Sequence, residues 1–235
     1  MAKTVGLSRK ITLQWLNKAV DLLGENLTEE EYKTKMNEYL SFEIESPTVL
    51  RKTREILMRV WFFEDDPDIT SIRKDALKLI KLYPDYDVAI HWCLLLCVYP
   101  VFADLCRLMG RIAEFNETIA LSQLKQKLYD EWGERSTLYH STDKIIATIK
   151  ELGVISANKP GNYLINKQTI FKQDVAKFVI RIAMTIDNGG YYTFQELESF
   201  SFLFPFDYHL AKESIVADDY FVTAHFAGEQ TVSLK

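Results

Sequence analysis

The sequence predicts a mainly α protein: a helical N-terminal bundle, then a helix-turn-helix plus β-hairpin unit, then a small α+β C-terminal end. Three observations predict it. Gly and Pro are scarce, 9 and 6 among 235 residues, too few for the many turns of an all-β fold. Apolar residues recur at spacings of three and four through most of the chain, which is the period of a helix face. Short β-prone runs around glycine turns occur only in the second half. With 48% hydrophobic residues, 14 Phe, 12 Tyr and 4 Trp, there is material for a full core and little reason to expect long disorder. The expected division is 1–115 for the bundle, 116–170 for the helix–hairpin unit and 171–235 for the C-terminal end.

In order, Ser8 to Leu23 carries an apolar stripe and Gly24 stops it. Thr28 opens the next helix, with Glu31 three residues on as capping-box partner, and it runs to about Leu40. Ser46-Pro47 is an N-cap followed by proline at the first helical position. That helix continues to Val60 with Arg51, Lys52, Arg54 and Arg59 on its polar side. Ile69 to Leu82 is expected to be a helix with Arg73, Lys74, Lys78 and Lys81 outward. Val88 to Glu114 reads as helix broken or kinked near Pro100, because proline lacks the donor needed there. The apolar run Val88 to Met109 is long enough to raise a membrane span. Asp87, His91, Asp104 and Arg107 interrupt or flank it, so it reads as buried core.

Thr118 to Trp132 reads as an amphipathic helix ended by Gly133, and Ser136 to His140 as a connector. Ser141 or Thr142 caps a helix that bears Ile145, Ile146, Ile149 and Leu152. Val154 to Ser156 and Tyr163 to Ile165 then flank a Pro160-Gly161 turn as a hairpin. Phe171 to Ile186 is a further helix, and Thr193 caps another short one. Tyr220 to Phe226 and Gln230 to Leu234 bracket Ala227-Gly228-Glu229 as a second hairpin, which could belong to a second winged-helix-like unit.

The net charge of -5 does not announce a nucleic-acid binder, although local patches matter more than the sum. Met1 to Arg9 has no apolar run of the kind a secretory leader needs, and a cytoplasmic protein is expected. Cys93, Cys97 and Cys106 have no metal-ligand spacing and read as small buried hydrophobes. His91, His140, His209 and His225 are scattered, and no HExxH, GxSxG, GxxxxGK[ST] or GxGxxG occurs. No catalytic residue, metal site or cofactor is expected, and the chain reads as a non-enzyme.

The order helix, helix, Leu152-Gly153, hairpin is similar to the winged-helix superfamily, in which a glycine in the left-handed conformation turns the second helix into the wing strand. If that unit meets duplex DNA, the candidates on the second helix are His140, Ser141, Thr142, Lys144, Thr148 and Lys150. Arg135 would touch phosphate from the preceding loop, and Asn158, Lys159 and Asn162 from the wing. The basic set Arg51, Lys52, Arg54 and Arg59 could meet a phosphate backbone, or be an ordinary solvated face paired with Glu43, Glu45 and Glu55. Winged helices also serve as protein-interaction modules, and Glu134, Asp143 and Glu151 dilute the charge here. A protein-interaction adaptor with no nucleic-acid contact is therefore the competing reading. The aromatic run Phe200 to Phe206 and the acidic residues from Asp187 onward suit it.

Ser46-Pro47 followed by Arg51, Arg54, Ile56 and Arg59 resembles a segment of the BrxA family of BREX phage-defence systems. So do the apolar stretch Ala89 to Met109 with Ala103-Asp104, Tyr129 with Trp132, Ser141-Thr142 with Lys144, and Leu152-Gly153-Val154-Ile155. The likeness runs from about residue 5 to 170. Tyr39 to Glu43 departs from the family pattern, and the C-terminal stretch has no counterpart in it. The resemblance implies a small, non-catalytic, helical protein that binds double-stranded DNA. It also implies partners among other BREX-type defence proteins, such as a methyltransferase or ATPase, and no membrane.

Overall fold

The computed structural model describes residues 6–226 and 228–235. The rest of the leader reading, over 1–5, and Ala227 of the expected terminal turn lie outside the described residues. The protein is mainly helical with a few small sheets. Its N-terminal part is built from α1 (Leu13–Leu23), α2 (Glu29–Ser41), α3 (Pro47–Trp61), α4 (Pro67–Leu82), α5 (Asp87–Val98) and α6 (Pro100–Ala113). There follow β1 (Thr118–Ala120), α7 (Leu121–Trp132), α8 (Ser136–Glu151), β2 (Ile155–Lys159) and β3 (Asn162–Ile165). The chain ends with β4 (Gln168–Ile170), α9 (Gln173–Asp187), β5 (Tyr192–Thr193), α10 (Phe194–Leu197), β6 (Phe206–Tyr208), α11 (Lys212–Val216), β7 (Phe221–Phe226) and β8 (Glu229–Leu234).

The helix starts follow the capping chemistry of the sequence. Thr28 and Thr193 form full capping boxes with Glu31 and Glu196. Ser46 caps α3 ahead of Pro47. α1 begins later than Ser8, because Thr12 is the cap and accepts from the Trp15 N–H at 3.2 Å. The apolar residues ahead of it have another partner. Leu7 and Ile11 are fully buried, and the Ile11 N–H donates to Thr148 Oγ1 on α8 at 3.0 Å.

Arg73 does not point outward. It is 7% exposed and donates to the carbonyls of Arg59, Val60 and Phe63. The Arg59 and Val60 carbonyls are among those a helix end leaves without intrahelical partners, and Phe63 directly follows the Phe62 cap, so Arg73 closes the C-terminus of α3. α5 and α6 are both largely buried and meet at 118° across Tyr99, where Pro100 starts the new helix. Among the described residues no single helix is long and apolar enough to cross a membrane.

Four short strands, β1, β4, β5 and β6, were not expected from the sequence. Thr118–Ala120, expected to open a helix, is β1, and it pairs antiparallel with β3. β3 also pairs with β2, giving the order β1-β3-β2. β4 and β6 form a parallel pair. The third sheet has the order β5-β8-β7. One contiguous buried core joins all of these elements, from Leu7 to Val232. The aromatic run belongs to it. Phe202 and Phe206 are buried, Phe204 and Phe206 pack edge-on to Trp92, and Trp92 Nε1 donates to the Phe202 carbonyl at 3.0 Å. That run is core, so it does not supply a partner surface.

Candidate nucleic-acid interface

The phase of α8 decides which of its residues can touch a ligand. At about 100° per residue, Leu138, Ser141, Thr142, Ile145, Thr148 and Ile149 fall on one side. All six are buried. Ser136, Thr137, His140, Lys144, Lys150 and Glu151 fall on the other side and are exposed. Ser141 and Thr142 are therefore not groove-facing residues, and neither is Thr148. The Thr142 and Thr148 hydroxyls donate to the carbonyls one turn back, Leu138 at 2.8 Å and Lys144 at 2.9 Å. Nor do Ser141 and Thr142 cap the helix. It starts at Ser136, and the expected connector Ser136 to His140 is its first turn.

The acidic residues of α8 are neutralised within the protein. Asp143 pairs with Lys125 of α7 at 2.7 Å, and that lysine also lies 4.0 Å from the centre of the Tyr139 ring. Desolvation is the largest single influence on Lys125 and lowers its pKa, but the hydrogen bond and charge of Asp143, with the neighbouring Tyr139 and Tyr129, together outweigh it, and the pKa is raised. Glu151 pairs with Lys10 at 2.8 Å. Lys144 and Lys150 on the exposed side, and Lys159 in the wing, form no ion pair among the described residues.

The wing is a β2–β3 hairpin closed by the Lys159–Asn162 pair, with Gly161 at φ +73. A positive φ of this kind suits glycine in a tight turn. The Gly161 carbonyl accepts from the Leu121 N–H at 2.8 Å, which ties the wing tip to the start of α7. Asn162 is half-buried, and its amide donates to the Pro160 carbonyl at 3.3 Å. Asn158 and Lys159 are exposed. Gly153 leaves α8 at φ +76 and leads directly toward β2, as the Leu152-Gly153 pair predicts.

The other candidates divide. Arg51, Lys52 and Arg59 are exposed on α3. Arg54 is half-buried and committed elsewhere. Its guanidinium donates to Asn37 Oδ1 at 3.1 Å and pairs with Glu55 at 2.6 Å. Arg135 folds back toward its own helix pair, donating to the Trp132 carbonyl at 3.3 Å with its guanidinium 5.9 Å from the Trp132 ring centre. α3 packs against α1, α2 and α5, whereas α7 and β1 pack on α6 and β2 on α8.

His91 is fully buried inside the bundle. Burial pushes its pKa down to about 3. The three cysteines are free, and burial raises each thiol, Cys97 to about 12. Among the described residues no group of three or more His, Cys, Asp or Glu is placed to hold a metal ion. No protein-family model, no characterised protein and no solved structure matches this chain.

Proposed function

We propose that this chain is a non-catalytic DNA-binding accessory subunit that meets duplex DNA through the exposed side of α8 and the β2–β3 wing. The observation that carries the reading is the division of α8: its acidic residues are paired internally, while Lys144, Lys150 and the wing's Lys159 are exposed and form no ion pair among the described residues. Cations of this kind attract phosphates, and helix-borne polar residues such as Thr137 and His140 are of a type that reads base edges. The chain order α6, β1, α7, α8, β2, β3 with sheet order β1-β3-β2 supports a winged-helix reading, with α8 in the recognition position. The same strand order in β5-β8-β7, with α9 before β5 and α10 and α11 between β5 and β7, supports a second unit of that type in 171–235. With the sequence resemblance to the BrxA family, the setting we propose is a cytoplasmic BREX-type defence complex, with partners such as its methyltransferase or ATPase.

The test is duplex binding by fluorescence anisotropy across a salt series. Wild type is expected to bind with affinity that falls steeply with salt. Lys144→Glu/Lys159→Glu is expected to bind at least about tenfold more weakly, and to lose about two from the salt slope. Arg51→Glu/Lys52→Glu reports separately on α3. Absence of wild-type binding at low salt sinks the DNA reading and leaves the adaptor.

A further inference from the structure

The C-terminal sheet ends on an open edge, because β7 pairs with β8 alone. Their register runs from Phe221 with Leu234 to Phe226 with Glu229 without a shift. In a two-residue hairpin the closing pair and every second pair beyond it exchange main-chain bonds. The Lys235 N–H donating to the Tyr220 carbonyl at 3.1 Å fits that alternation. The main-chain groups of Phe221, Thr223 and His225 therefore point away from β8. No main-chain bond from another element reaches them among the described residues.

Edge strands are usually guarded by proline, lysine or a bulge, since an open edge invites another strand. β7 reads Phe-Val-Thr-Ala-His-Phe and has none of these guards. Val222, Ala224 and Phe226 share one face and are all exposed, and Tyr191 packs on Phe226 with ring centres 5.0 Å apart. The base of the strand is held in place. Tyr220 Oη donates to Asp75 on α4 at 2.8 Å, and the Arg181 guanidinium of α9 lies 3.9 Å from the Tyr220 ring centre. A preorganised edge loses little freedom when a partner adds to it.

The surroundings state the charge of that partner. From Asp187 onward there are eight acidic residues and two lysines; Asp187, Glu198, Asp207 and Asp218 are taken up in ion pairs, whereas Glu213, Asp219 and Glu229 form none among the described residues. Glu213, Asp219 and Glu229 are exposed around the hairpin. Two copies of β7 joined antiparallel would bring Asp219 of one toward Glu229 of the other, and like charges there disfavour self-pairing. We propose that the free edge of β7 receives an extended basic segment of a partner protein, apolar at alternate positions, as a fourth strand of this sheet. The proposal does not depend on the DNA reading, which concerns α8 and the first wing.

The probe is a labelled Lys-Val-Thr-Val-Thr-Val-Lys-Arg peptide, titrated with the full chain and followed by anisotropy. Its control is the same peptide with glutamate for each basic residue. Wild type is expected to bind the basic peptide and to bind the acidic one about tenfold more weakly or worse. Thr223→Pro removes an N–H that points away from β8, so the hairpin ladder survives while peptide binding is lost. Asp219→Lys/Glu229→Lys is expected to reverse the preference between the two peptides, and it decides the matter alone if Thr223→Pro fails to fold. The proposal is overturned if wild type binds neither peptide or both equally, or if folded Thr223→Pro binds as wild type does. It is also overturned by a wild-type dimer in sedimentation that Thr223→Pro makes monomeric, since a second copy would then occupy the edge.

Discussion

His91 shows how much one residue's surroundings can dictate. The Trp61 Nε1–H donates to its Nδ1 at 3.1 Å, and indole is a donor only, so the imidazole proton must sit on Nε2. Nε2 then donates to Asn17 Oδ1 at 2.7 Å, and Asn17 passes the chain on to Asp87 at 2.8 Å. Protonating Nδ1 would set two N–H groups against each other in a dry core. The sign for stability follows. Above about pH 6.5 His91 is neutral whether folded or unfolded, and it adds no pH dependence. As pH falls below that value, the unfolded chain takes up a proton that the folded chain refuses until about pH 3. Wild type is therefore expected to be about 1 kcal/mol less stable in urea at pH 5.5 than at pH 7.5 through this residue. His91→Gln should be less stable at pH 7.5 but lack that slope; an unchanged slope would remove the assignment. Arg73 makes a second case. Arg73→Met is expected to lose about 3 kcal/mol, because charged hydrogen bonds to three carbonyls go with it. The sequence hid both roles, since a lone histidine and a lysine-like arginine carry no local mark of their distant partners. By contrast, the burial of Ser141 and Thr142 had a local signal, which the cap and groove-facing expectation passed over. They stand in helical phase with Leu138, Ile145 and Ile149, and the phase outweighs the preference of Ser and Thr for caps.

Among elements, those whose ends are fixed by local chemistry could be read from the sequence. The Thr28 and Thr193 boxes, the Ser46-Pro47 start and the Gly153 exit each stand where the residues alone place them. β1, β4 and β6 could not be read that way, because each is short and exists through a strand distant in sequence. α6 carries a feature of the same long-range kind. Gly110 lies mid-helix, where glycine is ordinarily unfavourable relative to alanine. Here a Cβ would overlap the Ser201 carbonyl of the 3-10 turn Ser201–Leu203 packed across it. The glycine thus lets two backbones touch, beside the Phe202 carbonyl that accepts from Trp92 Nε1. Gly110→Ala, stabilising in an isolated helix, is expected to cost the protein about 3 kcal/mol as the turn is pushed away. Urea unfolding measures this, and a neutral or stabilising result would show that the turn gives way freely.

At the scale of the whole molecule, composition and periodicity predicted the helical class, but they gave no view of how the segments join. 1–115, 116–170 and 171–235 share one buried core. The N-terminal segment reaches α8 through Ile11–Thr148 and Lys10–Glu151, and α6 lies under both β1 and α7. Trp132 of α7 donates to Asp104 of α6 at 3.0 Å, and Trp92 of α5 donates to the Phe202 carbonyl. The helix–hairpin unit therefore borrows its first helix from the bundle. A segment of that size, deprived of the helix that covers its apolar side, falls among chains that seldom fold alone, since domains of about 60 residues are already marginal. Expressed as 116–170, it is expected to show little helical circular dichroism, whereas a 96–170 fragment that restores α6 gains some. The intact protein is expected to unfold in urea as one transition, with tryptophan fluorescence and helical circular dichroism superimposable. Two separated transitions, or a folded 116–170 fragment, would mean that the α6 contacts contribute little. The helix–hairpin unit would then be a module able to move on its own, and the α8–wing surface would lose its support from the bundle.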